Sequence, residues 1–256
     1  MKSLDNFAKE NHTFVVAHRG SSGTAPENTI AAFRIAIEAG AAMIETDVRL
    51  TADDKVVIFH DDNFYRTAGA TGSTYNMTYD EIKKIDVGSN FSPEFAGETT
   101  PLLSEVLEMT DDKAYLNIEI KTQPNDDYSF KIKKVLEEIY NAEAQHRVIL
   151  CSFDYDFLRE IKRADKMLPT ASIKRPGDKR LPSEIAKRTG ATSYICSIDE
   201  INDEIANDAE KHDIITGVYS FDKAEQLQIA YDYNVRAIAT NFPEKIIKEL
   251  KKAGKI

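Results

Sequence analysis

The 256-residue chain contains 42% hydrophobic and 30% charged residues, a composition typical of a globular protein with a sizeable core. Its formal net charge of −10 argues against a general nucleic-acid binder, because such proteins neutralise phosphates with Lys and Arg. No apolar run approaches the ~18 residues of a membrane span, and the N-terminal stretch lacks the apolar segment of a signal peptide. We therefore expect a cytoplasmic protein that has neither a nucleic-acid partner nor stable membrane insertion.

Short β-branched runs alternate with longer stretches of helical periodicity through most of the chain. The strand pattern occurs at residues 14–17, 42–47, 56–60, 115–121, 148–152, 170–172, 193–197, 214–219 and 237–240. The helical pattern occurs at residues 28–39, 104–109, 127–140, 155–164, 183–189, 201–212, 223–233 and 243–253. Such alternation predicts a parallel sheet covered by helices. Because no dinucleotide-type glycine loop accompanies it, a closed (β/α)8 TIM barrel is favoured over an open sheet.

Residues 61–100 interrupt the alternation of strands and helices. They contain several glycines and a single short amphipathic stretch near residues 79–85. Because an unstructured loop of this length is unusual in a compact domain, we interpret the segment as a small insertion. Residues 1–256 are therefore predicted to form a single TIM-barrel domain that carries it. Cys151 and Cys196 both lie in apolar runs, which indicates two reduced core thiols.

Carboxylates occupy one face of two predicted strands. Glu45 and Asp47 point the same way, about 7 Å apart, because strand side chains alternate with a period of two. Glu119 shares a face with Lys121, two residues later, in "YLNIEIKT". On a half-exposed strand these faces would simply meet solvent. In a barrel one face points inward, where two acids need a partner that offsets their repulsion and desolvation.

Two histidines follow apolar runs: "FVVAHRG" ends in His18 and Arg19, and "KVVIFHDD" contains His60. Polar residues at the end of a strand are common, so either motif alone has an ordinary structural explanation. In a TIM barrel, however, the active site lies at the C-terminal ends of the strands, where these groups would meet the carboxylates. Three carboxylates suit Mg²⁺ or Ca²⁺, Arg and Lys suit a phosphate, and paired histidines suit acid–base catalysis. Together they indicate phosphoester chemistry.

The same motifs resemble those of a known family. Residues 17–67, "AHRGSSGTAPENTIAAFRIAIEAGAAMIETDVRLTADDKVVIFHDDNFYRT", are similar to the beginning of the glycerophosphodiester phosphodiesterases. The similarity continues through "GSNFSPEFAGETTPLLSEVLEM" and "YLNIEIK", so that it covers roughly residues 14–121. This family belongs to the phospholipase C-like phosphodiesterase superfamily, and the resemblance implies its (β/α)8 barrel with a small insertion.

The resemblance also implies a reaction and a set of site residues. The substrate would be a small-molecule glycerophosphodiester, hydrolysed to an alcohol and sn-glycerol 3-phosphate. The glycerol 2-hydroxyl would attack phosphorus first, and water would then open the cyclic phosphodiester. Carried over by position, His18 and His60 would be the acid–base pair, Glu45, Asp47 and Glu119 would hold Mg²⁺ or Ca²⁺, Arg19 and Lys121 would contact the phosphate, and Glu27 would support the site.

The second half of the chain departs from the family pattern at two places. The family often carries tryptophan-threonine-valine-asparagine on its seventh strand, whereas this chain has "IITGVYSFD" and no tryptophan. Tyr219 and Phe221 are candidate replacements for that apolar wall, with ordinary core packing as the alternative. The family usually ends with threonine-aspartate-x-proline, where this chain has Asn241 in place of the aspartate.

Two other functions remain open at this stage. One is a lysophospholipase D-type phosphodiesterase of the same superfamily, which the missing tryptophan would allow. The other is a barrel that binds glycerophosphodiesters without cleaving them. The sequence determines neither the alcohol that is released nor the oligomeric state.

Overall fold

The computed structural model describes residues 1–256 and contains a closed parallel barrel. Its strands are β1 (Phe14–His18), β2 (Met43–Leu50), β3 (Val56–Ile58), β4 (Tyr115–Ile120), β5 (Val148–Ser152), β6 (Thr170–Ile173), β7 (Ser193–Ser197), β8 (Ile215–Tyr219) and β9 (Ala237–Thr240). The sheet order is β1-β9-β8-β7-β6-β5-β4-β2-β3, and pairing of β1 with β2 closes the barrel. Every strand in the closed ring is parallel to its neighbours. The predicted (β/α)8 TIM barrel is confirmed.

Helices surround the barrel and follow most of its strands. They are α1 (Leu4–Glu10), α2 (Ile30–Ala39), α3 (Tyr65–Ala68), α4 (Tyr79–Ile82), α5 (Leu103–Met109), α6 (Tyr128–Asn141), α7 (Tyr155–Ala164), α8 (Pro182–Thr189), α9 (Asp203–Lys211), α10 (Leu227–Asp232) and α11 (Pro243–Lys252). The helix predicted at residues 223–233 is divided into a 3-10 turn and α10. No helix combines the length and the apolar character that crossing a membrane requires.

Side-chain alternation along the strands separates two apolar layers. Ile44 and Ile118 face outward into a core of 41 buried residues between the strands and the helices. A second cluster of nine buried residues fills the barrel interior. Cys151 lies in the interior cluster and Cys196 in the outer core, and both are free thiols, as predicted. Because alternate residues of β2 supply the outer core, Glu45 and Asp47 face the interior.

Helix α1 closes the N-terminal end of the barrel and was not predicted. Ser3 caps it, and Leu4 joins the interior apolar cluster. The Phe7 ring packs at 5.1 Å from the Phe14 ring and at 4.4 Å from the Tyr115 ring, measured between centroids. With seven residues, of which two are buried, α1 has too short an apolar stripe for its periodicity to be recognised.

Strand β3 does not belong to the parallel barrel, and the expectation that His60 ends a barrel strand is wrong. Val48 of β2 pairs with Ile58 of β3 in an antiparallel register. The long strand β2 therefore rises above the barrel, and β3 returns along it toward the barrel mouth. The Phe59 amide donates to the Asp47 carbonyl at 2.9 Å, so His60 enters the site from this return strand.

Residues 61–100 follow β3 and contain α3, α4 and two 3-10 turns. They pack around a small separate apolar cluster made of Phe59, Phe64, Ile82 and Val87. We propose that residues 1–256 form one domain with this segment as its insertion.

Replacing Phe7 by alanine should destabilise the protein and leave its catalytic rate unchanged, because the ring packs at the barrel end remote from His18 and His60. We expect a loss of about 2 kcal/mol in the free energy of unfolding, since the ring is only partly buried. Chemical denaturation of the Phe7→Ala variant measures this loss, and Lys9→Ala, on the exposed face of the same helix, is the control. Equal stability of the two variants would contradict the packing role of Phe7.

Candidate active site

A tight turn after β1 places His18 and Arg19 at the mouth of the barrel. Arg19 and Gly20 both adopt left-handed conformations, with φ of 56° and 81°. A Cβ atom on Gly20 would lie 2.7 Å from the backbone carbonyl carbon of Ala32, so only glycine allows this approach to α2. The Arg19 amide donates to Glu45 Oε2 at 3.0 Å. The turn therefore ties the end of β1 to the carboxylates of β2.

Three buried carboxylates converge inside this end of the barrel. Glu45 and Asp47 lie on β2 and Glu119 lies on β4, and one oxygen of each lies within 4.8 Å of the others. Asp47 and Glu119 are direct neighbours in the parallel register of the two strands. The alternation in the sequence and the pairing of the strands together bring these side chains into one cluster.

Two cationic side chains lie against the carboxylates. Lys121 Nζ is 2.8 Å from Asp47 Oδ1 and 2.5 Å from Glu119 Oε1. Arg19 Nε is 3.3 Å from Asp47 Oδ2. Burial acts to raise the pKa of Asp47, but Lys121 and Arg19 outweigh it and hold that pKa well below its usual range. Burial, followed by the Asp47 charge, raises the pKa of both Glu45 and Glu119.

The cluster has the chemistry of a divalent cation site. Its three acids, Glu45, Asp47 and Glu119, offer only oxygen ligands, which hard cations prefer. If they and the two cations were all charged, one negative charge would remain unbalanced and would repel a phosphodiester anion. A divalent cation reverses that sign and relieves the repulsion that raises the two glutamate pKa values. The residues therefore fit such an ion.

Asn28 holds Asp47 in place, and the sequence analysis assigned it no role. Its Nδ2 donates to Asp47 Oδ2 at 2.8 Å, and its Oδ1 accepts from Thr46 Oγ1 at 2.9 Å. Asn28 is buried and adopts a left-handed backbone with φ of 58°. The asparagine of the "PENT" motif could have indicated a left-handed turn here, because asparagine tolerates this conformation better than most residues.

The two histidines have different partners. His18 Nδ1 lies 2.8 Å from Asn241 Oδ1, and His60 Nδ1 lies 2.6 Å from Asp61 Oδ1. His18 Nε2 is 3.9 Å from Glu45 Oε2. Burial, followed by Arg19, lowers the pKa of His18, and burial is also the main cause that lowers the pKa of His60.

Arg66, from the segment after β3, connects the surroundings of both histidines. Its guanidinium donates to Asp61 Oδ2 at 2.6 Å and makes two bonds to Glu27, at 2.6 and 2.8 Å. Glu27 in turn accepts from Arg19 Nη1 at 2.9 Å. Glu27 therefore lies beside the site, where it orients Arg19. The sequence analysis assigned a role in the site neither to Asp61, which belongs to the His60-Asp61 motif, nor to Arg66, because no local spacing reveals these contacts.

A cavity of about 200 Å³ opens at this cluster and extends into the barrel. His18, His60, Glu45, Glu119 and Lys121 line its polar part.

Tyr219, at the end of β8, supplies an aromatic wall of the same cavity. Phe221 does not contribute to that wall, because its side chain is fully buried in the outer core. Of the two candidate replacements for the missing tryptophan, only Tyr219 reaches the site.

Known proteins that are similar to this chain share one family. The family model described as "Glycerophosphoryl diester phosphodiesterase family" matches residues 18–245. A glycerophosphodiester phosphodiesterase of Caldanaerobacter subterraneus subsp. tengcongensis is 37% identical over 247 residues, covering 94% of this chain and 99% of the relative. One from Bacillus altitudinis is 29% identical, covering 92% and 97% of the two chains.

Solved structures are similar over nearly the whole chain. A phosphodiesterase of Oleispira antarctica, in complex with the product sn-glycerol-3-phosphate, has a TM-score of 0.87 and 26% identity, covering 95% of this chain and 99% of its own. The glycerophosphodiester phosphodiesterase of Thermotoga maritima has a TM-score of 0.76 and 26% identity, with coverages of 93% and 98%. With the family match over residues 18–245 and the 37% identity to the Caldanaerobacter enzyme, this chain belongs to the glycerophosphoryl diester phosphodiesterase family of enzymes.

Proposed function

We propose that the protein hydrolyses glycerophosphodiesters to an alcohol and sn-glycerol 3-phosphate, with a divalent cation, Mg²⁺ or Ca²⁺, and with His18 and His60 as the acid–base pair. One observation carries the proposal: both rings line the same cavity as Glu45 and Glu119, and each ring has its Nδ1 held by a neighbour. Nε2 of each ring therefore remains as the nitrogen that can exchange a proton with substrate.

The substrate class follows from the family and from the cations at the cavity. Arg19 and Lys121 are the groups proposed to contact the non-bridging oxygens of the phosphate. Glu27 supports this role, because its bond to Arg19 fixes the direction of the guanidinium. The sn-glycerol-3-phosphate bound to the Oleispira antarctica relative supports the same product here.

Glu45, Asp47 and Glu119 are the proposed ligands of the divalent cation. When bound, the ion would polarise a phosphoryl oxygen and lower the pKa of the glycerol 2-hydroxyl.

The two histidines divide the proton transfers. One takes the proton of the glycerol 2-hydroxyl as that oxygen attacks phosphorus, and the other protonates the departing alkoxide, which leaves as the free alcohol. The product of this step is a cyclic phosphodiester of glycerol. In the second step the roles are reversed. The histidine that acted as the acid takes a proton from water as the water oxygen attacks phosphorus. The bond between phosphorus and the glycerol 2-oxygen breaks, and the other histidine protonates that oxygen, which gives sn-glycerol 3-phosphate.

Purified protein should release glycerol 3-phosphate from glycerophosphocholine when Mg²⁺ or Ca²⁺ is added, and excess chelator should abolish the release. An enzyme-coupled assay for glycerol 3-phosphate measures it, and release of choline compares cleavage of glycerophosphocholine with cleavage of lysophosphatidylcholine. Preferential cleavage of lysophosphatidylcholine would favour a lysophospholipase D-type activity instead. If the protein binds glycerophosphocholine but does not cleave it in the presence of either ion, the proposed hydrolysis is contradicted.

Alanine at His18 or at His60 should each lower kcat at least about 10²-fold, because a general acid or base contributes a factor of this size. Thermal unfolding of both variants should stay close to that of the wild type. His12→Ala is the matched control, because His12 is exposed and precedes β1 at the opposite end of the barrel. Near wild-type kcat in either site variant would remove that histidine from the mechanism.

Replacing Glu45 by glutamine should weaken cation binding by about tenfold or more, because one of three anionic ligands is lost. Isothermal titration of the protein with Mg²⁺ and with Ca²⁺ measures the affinity independently of turnover. Glu108→Gln, an exposed charge change on α5, is the control. An unchanged affinity in Glu45→Gln would exclude Glu45 as a ligand.

A further inference from the structure

The Asn241 side chain lies between His18 and a carboxylate that the proposed mechanism does not use. Its Oδ1 is 2.8 Å from His18 Nδ1, and its Nδ2 donates to Asp222 Oδ2 at 2.8 Å. Asp222 Oδ1 also accepts from the Asn241 backbone amide at 2.8 Å and from Thr240 Oγ1 at 3.2 Å. Asp222 thus accepts hydrogen bonds from both the backbone and the side chain of Asn241, the residue that contacts His18.

These bonds determine which way the Asn241 amide points. An ionised Asp222 carboxylate can only accept, so the NH2 group of Asn241 must face it. Oδ1 is then left for His18, and the Ser22 hydroxyl donates to the same oxygen at 2.8 Å. Because Oδ1 is an acceptor, the proton of a neutral His18 ring must be on Nδ1. The lone pair is therefore on Nε2, on the side of Glu45.

We propose that Asp222 and Asn241 are a pair of positioning residues that hold His18 in the tautomer with its lone pair on Nε2. In this tautomer, Nε2 of His18 can accept the proton of the glycerol 2-hydroxyl in the first step. This last assignment rests on the proposed function, whereas the tautomer does not. His60, whose Nδ1 contacts the Asp61 carboxylate directly, remains as the group that protonates the leaving alkoxide.

Both residues of this pair lie in the two segments where the chain departs from the family pattern. When tryptophan-threonine-valine-asparagine is placed on residues 219–222, its aromatic residue falls on Tyr219, its hydroxyl residue on Ser220 and its asparagine on Asp222. The later threonine-aspartate-x-proline places its aspartate on Asn241. Relative to these two motifs, the chain has a carboxylate at position 222 and an amide at position 241, and these two side chains bond to each other. The pair contains one donor and one acceptor, and its neutral amide lies next to His18.

A double-mutant cycle tests whether substitutions at Asp222 and Asn241 compensate for each other. Asn241→Asp places two carboxylates in contact, and Asp222→Asn frees the Asn241 amide to turn its NH2 toward His18. Each single variant should lower kcat about 10²-fold with little change in KM, because a misoriented catalytic group costs a factor of this size. Asp222→Asn combined with Asn241→Asp rebuilds one amide and one carboxylate and should recover kcat to within about threefold of the wild type.

The outcome of the cycle separates positioning from simple structural support. Losses in kcat that add in the double variant would overturn the proposal, as would single variants that lose thermal stability but keep kcat. Titration with Mg²⁺ should show an unchanged affinity throughout the cycle, because the carboxylate cluster is not altered. Lys245→Ala is the control for the local structure, because the Lys245 side chain donates to the backbone carbonyl of Asp222 and not to its carboxylate.

The tautomer can be observed without turnover. Long-range proton–nitrogen NMR correlations of histidine-labelled wild type, assigned by comparison with His18→Ala, distinguish a protonated Nδ1 from a protonated Nε2. We expect Nδ1 to carry the proton in the wild type and in the exchanged double variant, but not in Asp222→Asn. A wild-type ring protonated on Nε2 would overturn the proposal even if the enzyme is active. If instead the wild type releases no glycerol 3-phosphate, the proposed function fails while the NMR result still decides the tautomer.

Discussion

Burial of three carboxylates within a few ångströms of one another is the constraint on which the rest of this molecule depends. Glu45, Asp47 and Glu119 cannot all be ionised there without compensation, because they repel one another and have lost the solvation of water. Lys121 and Arg19 offset part of this negative charge. The left-handed turn at Arg19 places the Arg19 guanidinium beside Asp47. The proposed cation site rests on this repulsion, which the two cationic side chains offset only partly.

Much of the site could be predicted because its geometry follows from regular structure. The period of two along β2 puts Glu45 and Asp47 on one face, and the parallel register with β4 places Glu119 beside them. These relations involve only strand identity and strand direction, which apolar patterning indicates well. Tyr219 could be anticipated on the same grounds, because it ends β8 as His18 ends β1.

Other features were hidden from the sequence for identifiable reasons. The run before His60 is as apolar as a barrel strand, and nothing in three strand residues reveals that they pair antiparallel to β2. Asn28 acts through a side-chain bond from a left-handed turn, so its role depends on backbone geometry rather than on spacing. Arg66 reaches Glu27 across 39 positions of sequence, and no periodicity extends over such a separation.

The contact between His18 and Asn241 joins positions 223 residues apart, nearly the full length of the chain. All groups proposed to react or to bind metal and phosphate have been synthesised once residue 121 has left the ribosome. The partner of His18 follows β9 in the chain, and β9 is the strand that pairs with β1 on the side opposite β2. The groups proposed to react therefore precede the proposed positioning pair in the chain, and that pair meets His18 only in a closed barrel. The proposed activity thus depends on long-range closure of the barrel as well as on the residues that carry the chemistry.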